Sequence, residues 1–177
     1  IFSGDATASR TDVGTTNMGL AASQFANTNS NFANVTFNVT DGYQTITKAS
    51  VTVTITGATG SRVYNGGEQQ VSGYSVSIPA GVTLTENQII GPSNAVASGT
   101  HVGTYYMGLT VDAFSTNSSN YNVSFELTDG MLTITRATAT VAAEAKTKVY
   151  GTVDPALTAV VSGLQNGDAA NMIQYTI

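Results

Sequence analysis

Apolar and polar residues alternate along much of this chain with a period of two, and the phase of that alternation slips at two places. Val35, Phe37 and Val39 alternate with Thr36, Asn38 and Thr40, and after Asp41-Gly42 the chain returns through Tyr43 to Thr47. Such alternation marks a half-buried β-strand, and Asp-Gly between two such runs predicts a hairpin with a type I′ turn. The hairpin register sets Phe37 opposite Ile46 and Thr36 opposite Thr47. A second hairpin is expected around Asp129-Gly130, with Phe125 opposite Ile134 and Leu127 opposite Leu132. Val123, Phe125, Leu127, Leu132 and Ile134 then share one face toward a core, while Ser124, Thr128 and Thr133 face water. Beyond each hairpin the apolar set moves from even to odd positions: Ile46 gives way to Val51, Val53 and Ile55, and Ile134 to Ala139, Val141 and Ala143. A slip of one residue means a bulge, a kink or a new strand. Junctions are therefore placed near Lys48 and Arg136, with almost no residues left over to act as linkers.

Segments 70–78, 82–90, 103–111 and 121–127 are expected as further strands, punctuated by Gly, Pro, Asn and Ser. Helical signal is weak, with one short turn expected from Asp168 to Met172. Asn27 to Asn31 and Ser115 to Asn120 have the composition of loops.

The two hairpins belong to a longer repeat. Thr11, Val13, Gly14 and Thr15 return as Thr100, Val102, Gly103 and Thr104; Met18-Gly19-Leu20 returns as Met107-Gly108-Leu109, and Thr40-Asp41-Gly42 as Thr128-Asp129-Gly130. The spacing, roughly 88 residues, is too long for a solenoid repeat and suits a small domain. A second signature follows each junction, Val63-Tyr64-Asn65-Gly66 and Val149-Tyr150-Gly151-Thr152. The chain thus reads as the rear half of a repeat domain (1–47), a complete domain (48–135) and the front half of another (136–177). Ile1 aligns with Ile90, and Ile177 falls near the same phase. A half-domain buries too little apolar surface to stand alone. Two explanations fit: the chain is a window on a longer array, or the front half of one copy completes the rear half of the next as a head-to-tail fibre.

Composition narrows the function. Apolar residues make up 41% of the chain and charged residues only 10%, far below the ~25% usual for soluble domains. Uncharged Thr, Ser and Asn fill the polar positions, which suits sheet surfaces. The net charge of −5, with six basic residues spread along the chain, speaks against a nucleic-acid partner. No apolar run approaches the ~20 residues of a membrane span. There is no cysteine, so stability comes from packing without disulfides.

Few residues suggest chemistry. His101 is the sole histidine, and Asp112 or Asp129 would have to join it in a hydrolytic triad. One histidine without cysteine does not make a zinc site. Asp41, Asp129, Asp154 and Asp168 offer oxygen but lack the spacing of a calcium loop. Glu68, Glu86, Glu126 and Glu144 read as solvated surface, not as paired glycosidase carboxylates. A Lys–Asn isopeptide bond from Lys48 or Lys146 would need a buried acid such as Glu126, yet Arg136 stands in the place of Lys48 in the next copy. Tyr105 and Tyr106, which vary between copies, are the candidate ligand-binding residues, with Tyr74, Tyr121 and Phe114 as further stacking surfaces for a glycan. No catalytic residue, metal or cofactor is expected, and the chain is not expected to be an enzyme.

The two signatures together resemble bacterial MBG and YDG-type domains, found in tandem in large surface adhesins. Lys148-Val149-Tyr150-Gly151, Asp154-Pro155-Ala156-Leu157, Ser162-Gly163-Leu164 and Asn166-Gly167-Asp168 look like the YGX type. Arg62-Val63-Tyr64-Asn65-Gly66 with Val71-Ser72-Gly73-Tyr74 looks like the YDG variant, with Asn65 in place of the aspartate. The resemblance implies a secreted or cell-surface protein with a structural or adhesive role. The expected architecture is all-β, a tandem series of Ig-like β-sandwich domains, with β-grasp-like units bearing one short helix as the alternative. The expected function is a stalk or fibre segment of an adhesin whose partners are neighbouring repeat domains or head-to-tail copies. A module binding a glycan or a host surface protein is the competing expectation.

Overall fold

In the computed structural model, which describes residues 1–174 and Thr176, the chain is all-β. The phase comparison at Ile177 lies outside the described residues. In chain order the strands are β1 (Gly14–Asn17), β2 (Tyr43–Ile46), β3 (Ala49–Gly57), β4 (Thr59–Val63), β5 (Gln69–Ser72), β6 (Tyr74–Ser77) and β7 (Ile89–Ile90). They continue as β8 (Val96–Gly99), β9 (Gly103–Tyr106), β10 (Ser115–Thr116), β11 (Tyr121–Thr128), β12 (Met131–Thr135), β13 (Thr140–Ala143) and β14 (Ala159–Ser162). Among the described residues the helical elements are short 3-10 turns, including Ala170–Met172 where a helical turn was expected. The contacts form two compact units. One holds Ile1–Val53, Ile78–Ile90 and Ser115–Ser124; the other holds Thr54–Ser77, Gly91–Phe114 and the residues from Phe125 on.

In the first unit, β1 pairs antiparallel with β2, Gly14 opposite Ile46 and Asn17 opposite Tyr43. Phe2 bridges Phe25, and the Phe25 ring lies 5.8 Å from that of Phe37. β7 pairs antiparallel with β10. The start of β3 runs beside the start of β11 in the same direction: Ala49 N–H donates to the Asn120 carbonyl, and the hydroxyls of Thr52 and Ser124 lie 3.0 Å apart.

The second unit is organised about β12. One edge of β12 takes β4 in parallel, Leu132 opposite Gly60; the other takes β9 antiparallel, Gly103 opposite Ile134. Leu132, Ile134 and Ala97 form a buried cluster, against which Tyr64, Val71, Tyr105 and Met107 pack. β5 pairs with β8, β13 with β14, and the last residues of β3 with β6. Val51, Val53 and Ile55 are all buried along β3, as the alternation requires.

The expected hairpins do not form. Residues 35–40 are not strand, and β11 and β12 belong to different sheets, so neither Phe125 and Ile134 nor Leu127 and Leu132 are ladder partners. A type I′ turn needs positive φ at both central residues. No non-glycine residue described has positive φ, and neither Gly42 nor Gly130 does. The phase slip at Lys48 is a change of sheet: β2 belongs with β1, and β3 with β11 and β6. Three expected strands are interrupted: of 103–111 only Gly103–Tyr106 is strand, and a 3-10 turn begins at Val111. Gly73, at φ 91°, separates β5 from β6. In 82–90 a 3-10 turn at Glu86–Gln88 precedes β7, held where the Gln88 side chain accepts the Thr85 N–H at 3.0 Å.

Candidate functional site

The repeated signatures meet at a corner, built the same way twice. Asp129 accepts the N–H of Gly108 at 2.9 Å through one carboxylate oxygen, and those of Leu109 at 3.0 Å and Gly130 at 2.8 Å through the other. Asp41 accepts Gly19 N–H at 3.0 Å and Leu20 N–H at 2.9 Å. Beside these, Met107 N–H donates to the Gly130 carbonyl and Met18 N–H to that of Gly42. Gly19 and Gly108 turn the chain with φ of 76° and 73°, a region open to glycine. The second glycine is fixed by space at Gly130, where a Cβ would stand 2.6 Å from the Ala58 carbonyl oxygen, whereas at Gly42 it would meet only the flexible Met18 side chain. Met-Gly-Leu and Thr-Asp-Gly therefore recur together because each is half of one clamp.

The tyrosines are divided. Tyr105 and Tyr106 are neighbours on β9 and so point to opposite faces. Tyr105 packs against the Leu132–Ile134 cluster, its ring lies where a Cβ on Gly99 would stand, and its hydroxyl donates to the His101 carbonyl at 3.0 Å. Tyr106 is 66% exposed. The structure does not bring the two rings onto one surface. Tyr74 meets Phe114 edge to face with centroids 5.1 Å apart, and Phe114 is buried. The Tyr121 hydroxyl accepts the Thr83 N–H at 3.1 Å.

The remaining candidates are scattered. His101 is exposed, and the Asp129 carboxylate already serves the corner. Among the described residues no three of His, Asp and Glu gather where they could hold a metal ion. Glu68, Glu86, Glu126 and Glu144 are all exposed, so Glu126 is not the buried acid an isopeptide bond needs. Glu144 accepts the Thr158 hydroxyl and pairs with Lys146, and these two contacts hold its pKa below the usual carboxylate value.

The segments set out by the repeat are joined by side chains. Between the first and second, Asn120 accepts the Val13 N–H at 2.9 Å and donates to the Asp12 carboxylate at 2.8 Å. Between the second and third, the Tyr64 hydroxyl donates to Asp168 at 3.0 Å. This bond raises the Tyr64 pKa, because losing the phenolic proton would forfeit the donation to Asp168; burial and the Asp168 charge act in the same direction. Next to this bond, a Cβ on Gly66 would stand 2.0 Å from the Asn166 carbonyl oxygen. A cavity of about 220 Å³ opens there, lined by Tyr64, Val102, Arg136, Gly163, Leu164 and Asp168 among others. Sequence reasoning missed the clamp and all three of these bonds. The paired recurrence of Met-Gly-Leu with Thr-Asp-Gly was the available signal for the clamp; nothing comparable marked Asn120.

Residues 139–177 match the family model of the MBG domain, YGX type. The match falls on the segment whose Lys148–Gly151 and Asn166–Asp168 motifs resemble that type. No curated protein and no solved structure matches the chain.

Proposed function

We propose that this chain is a stalk or fibre segment of a secreted bacterial surface adhesin, in which tandem β-modules hold a binding tip away from the cell. It performs no catalysis; its work is to transmit position and force. The observation that carries this reading is the direct side-chain joining of successive segments, through Asn120 with Asp12 and Val13 and through Tyr64 with Asp168. Only Thr47 and Lys48 separate β2 from β3, and only residues 136–139 separate β12 from β13. Connections this short do not behave as flexible coil. The MBG match in residues 139–177 adds support, since repeat modules of this resemblance suit surface proteins. Antibodies raised against the purified chain are expected to label intact, unpermeabilised producing cells, and external protease should remove the label. Labelling confined to permeabilised cells would refute the proposal.

A further inference from the structure

The chain has two Asn-Gly pairs, Asn65-Gly66 and Asn166-Gly167, and both stand at the joint made by Tyr64 and Asp168. They lie against each other: the Asn166 carbonyl oxygen stands 2.0 Å from where a Cβ on Gly66 would be. Glycine after asparagine is the pairing most open to one reaction of the chain on itself. With no side chain on the following residue, its backbone nitrogen reaches the asparagine side-chain carbonyl carbon without hindrance.

Both asparagines are exposed, so access to water does not distinguish them. Their surroundings do. The Asn65 Oδ1 accepts the Gly67 N–H at 3.0 Å, and Gly66 is pinned under the Asn166 backbone. Asn166 occupies a turn whose hydrogen bonds are made by its neighbours. Asp168 N–H donates to the Gln165 carbonyl at 3.0 Å, and the Asp168 carboxylate accepts the Gln165 N–H at 3.3 Å. The Asn166 amide takes part in neither. Among the described residues, nothing comes within 4 Å of a Cβ placed on Gly167. The Asn166 side chain and the Gly167 nitrogen have room to close a ring, whereas Asn65 and Gly66 must first leave their contacts.

We infer that Asn166 is a site of spontaneous deamidation, and that this reaction loosens the Tyr64–Asp168 joint. The Gly167 nitrogen attacks Asn166 Cγ. An N–Cγ bond forms, the Cγ–Nδ2 bond breaks, and ammonia leaves with the proton from the Gly167 nitrogen. Water then opens the succinimide at either carbonyl, its hydroxyl joining the carbon and its proton returning to the nitrogen. Opening at Cγ leaves aspartate. Opening at the α-carbonyl carbon leaves isoaspartate, in which the main chain runs through Cβ and Cγ and the former α-carbonyl is a free carboxylate. That carbonyl is the group packed against Gly66. A charge then arrives where a neutral oxygen fitted closely, near the Asp168 carboxylate that takes the Tyr64 hydroxyl at 3.0 Å. Like charges placed together disfavour each other. The lengthened turn also no longer sets the Asp168 N–H on the Gln165 carbonyl.

The reaction goes beyond the stalk proposal and does not depend on it, since the chain has the same turn in any compartment. The full chain, aged in mildly alkaline buffer, is mapped by peptide mass spectrometry, with isoaspartate distinguished from aspartate by fragmentation. Asn166 should convert several-fold faster than Asn65. In denaturant, where the contacts are gone, the two should convert at similar rates. Trypsin should cut the aged native chain at Arg136 about fivefold faster than the fresh chain, the effect of one lost hydrogen bond, with Lys48 unchanged. Asn166→Gln, whose longer side chain disfavours the ring, should age without that acceleration. Asn65 converting as fast as Asn166 in the native chain, an Asn166 that stays intact, or an aged chain cut at Arg136 no faster than a fresh one would each overturn the inference.

Discussion

Asp129 shows how one residue can be given the right local character for the wrong reason. Asp-Gly between alternating runs reads as a hairpin turn, yet its carboxylate reaches back to Gly108 and Leu109. The two accounts predict opposite signs for one substitution. In a type I′ turn, Asn-Gly is as good as Asp-Gly or better. In the clamp, Asp129→Asn turns an amide group toward the N–H of Gly108 or Leu109, and one charge-assisted bond is lost. We expect Asp129→Asn to destabilise by about 1 kcal/mol and Asp129→Ala by about 2 kcal/mol, as backbone donors lose their acceptor. Denaturant titration checks both, and an Asn variant as stable as the parent would contradict the clamp. The repeat displayed both halves of this corner, but a partner some twenty residues away leaves no periodic trace.

At the scale of elements, alternation identified which residues turn inward and did not identify which strands are neighbours. Val51, Val53 and Ile55 are buried as their pattern indicates. β11 and β12 have the expected inward residues too, but they serve different sheets, because β12 is occupied on both edges by β4 and β9. Period two is blind to that choice, since every admissible pairing keeps the same face inward. Nor does pattern alone give burial. Val53 and Val141 hold corresponding places in the repeat, yet Val53 is 0% exposed and Val141 38%. Val53→Ala should lower stability by roughly 2–3 kcal/mol, through lost transfer and an unfilled cavity, whereas Val141→Ala should cost well under ~1 kcal/mol. Equal shifts in denaturation midpoint would mean that the two valines share one environment.

For the whole molecule, the repeat is preserved as contacts as well as sequence. β1–β2 matches β9–β12 in register, and the Phe25–Phe37 pair at 5.8 Å matches Phe114–Phe125 at 5.9 Å. The joints between segments do not repeat in this way. His101 stands at the place of Asp12, and the two joints seen use different residues, Asn120 at one and Tyr64 with Asp168 at the other. If the joints make a tandem chain stiff, each should open on its own when its own bond is removed. Trypsin reads them separately, since Lys48 lies in one joint and Arg136 in the other. Removing one hydrogen bond of net worth near ~1 kcal/mol raises the open population about fivefold, and cleavage of a rapidly reclosing site follows that population. Tyr64→Phe should therefore speed cleavage at Arg136 about fivefold and leave Lys48 unchanged. Asn120→Ala, which removes two bonds, should speed cleavage at Lys48 by a larger factor and leave Arg136 unchanged. Unchanged rates at both sites would show that backbone connection alone sets the joints, and the side-chain bonds would then contribute nothing to stiffness.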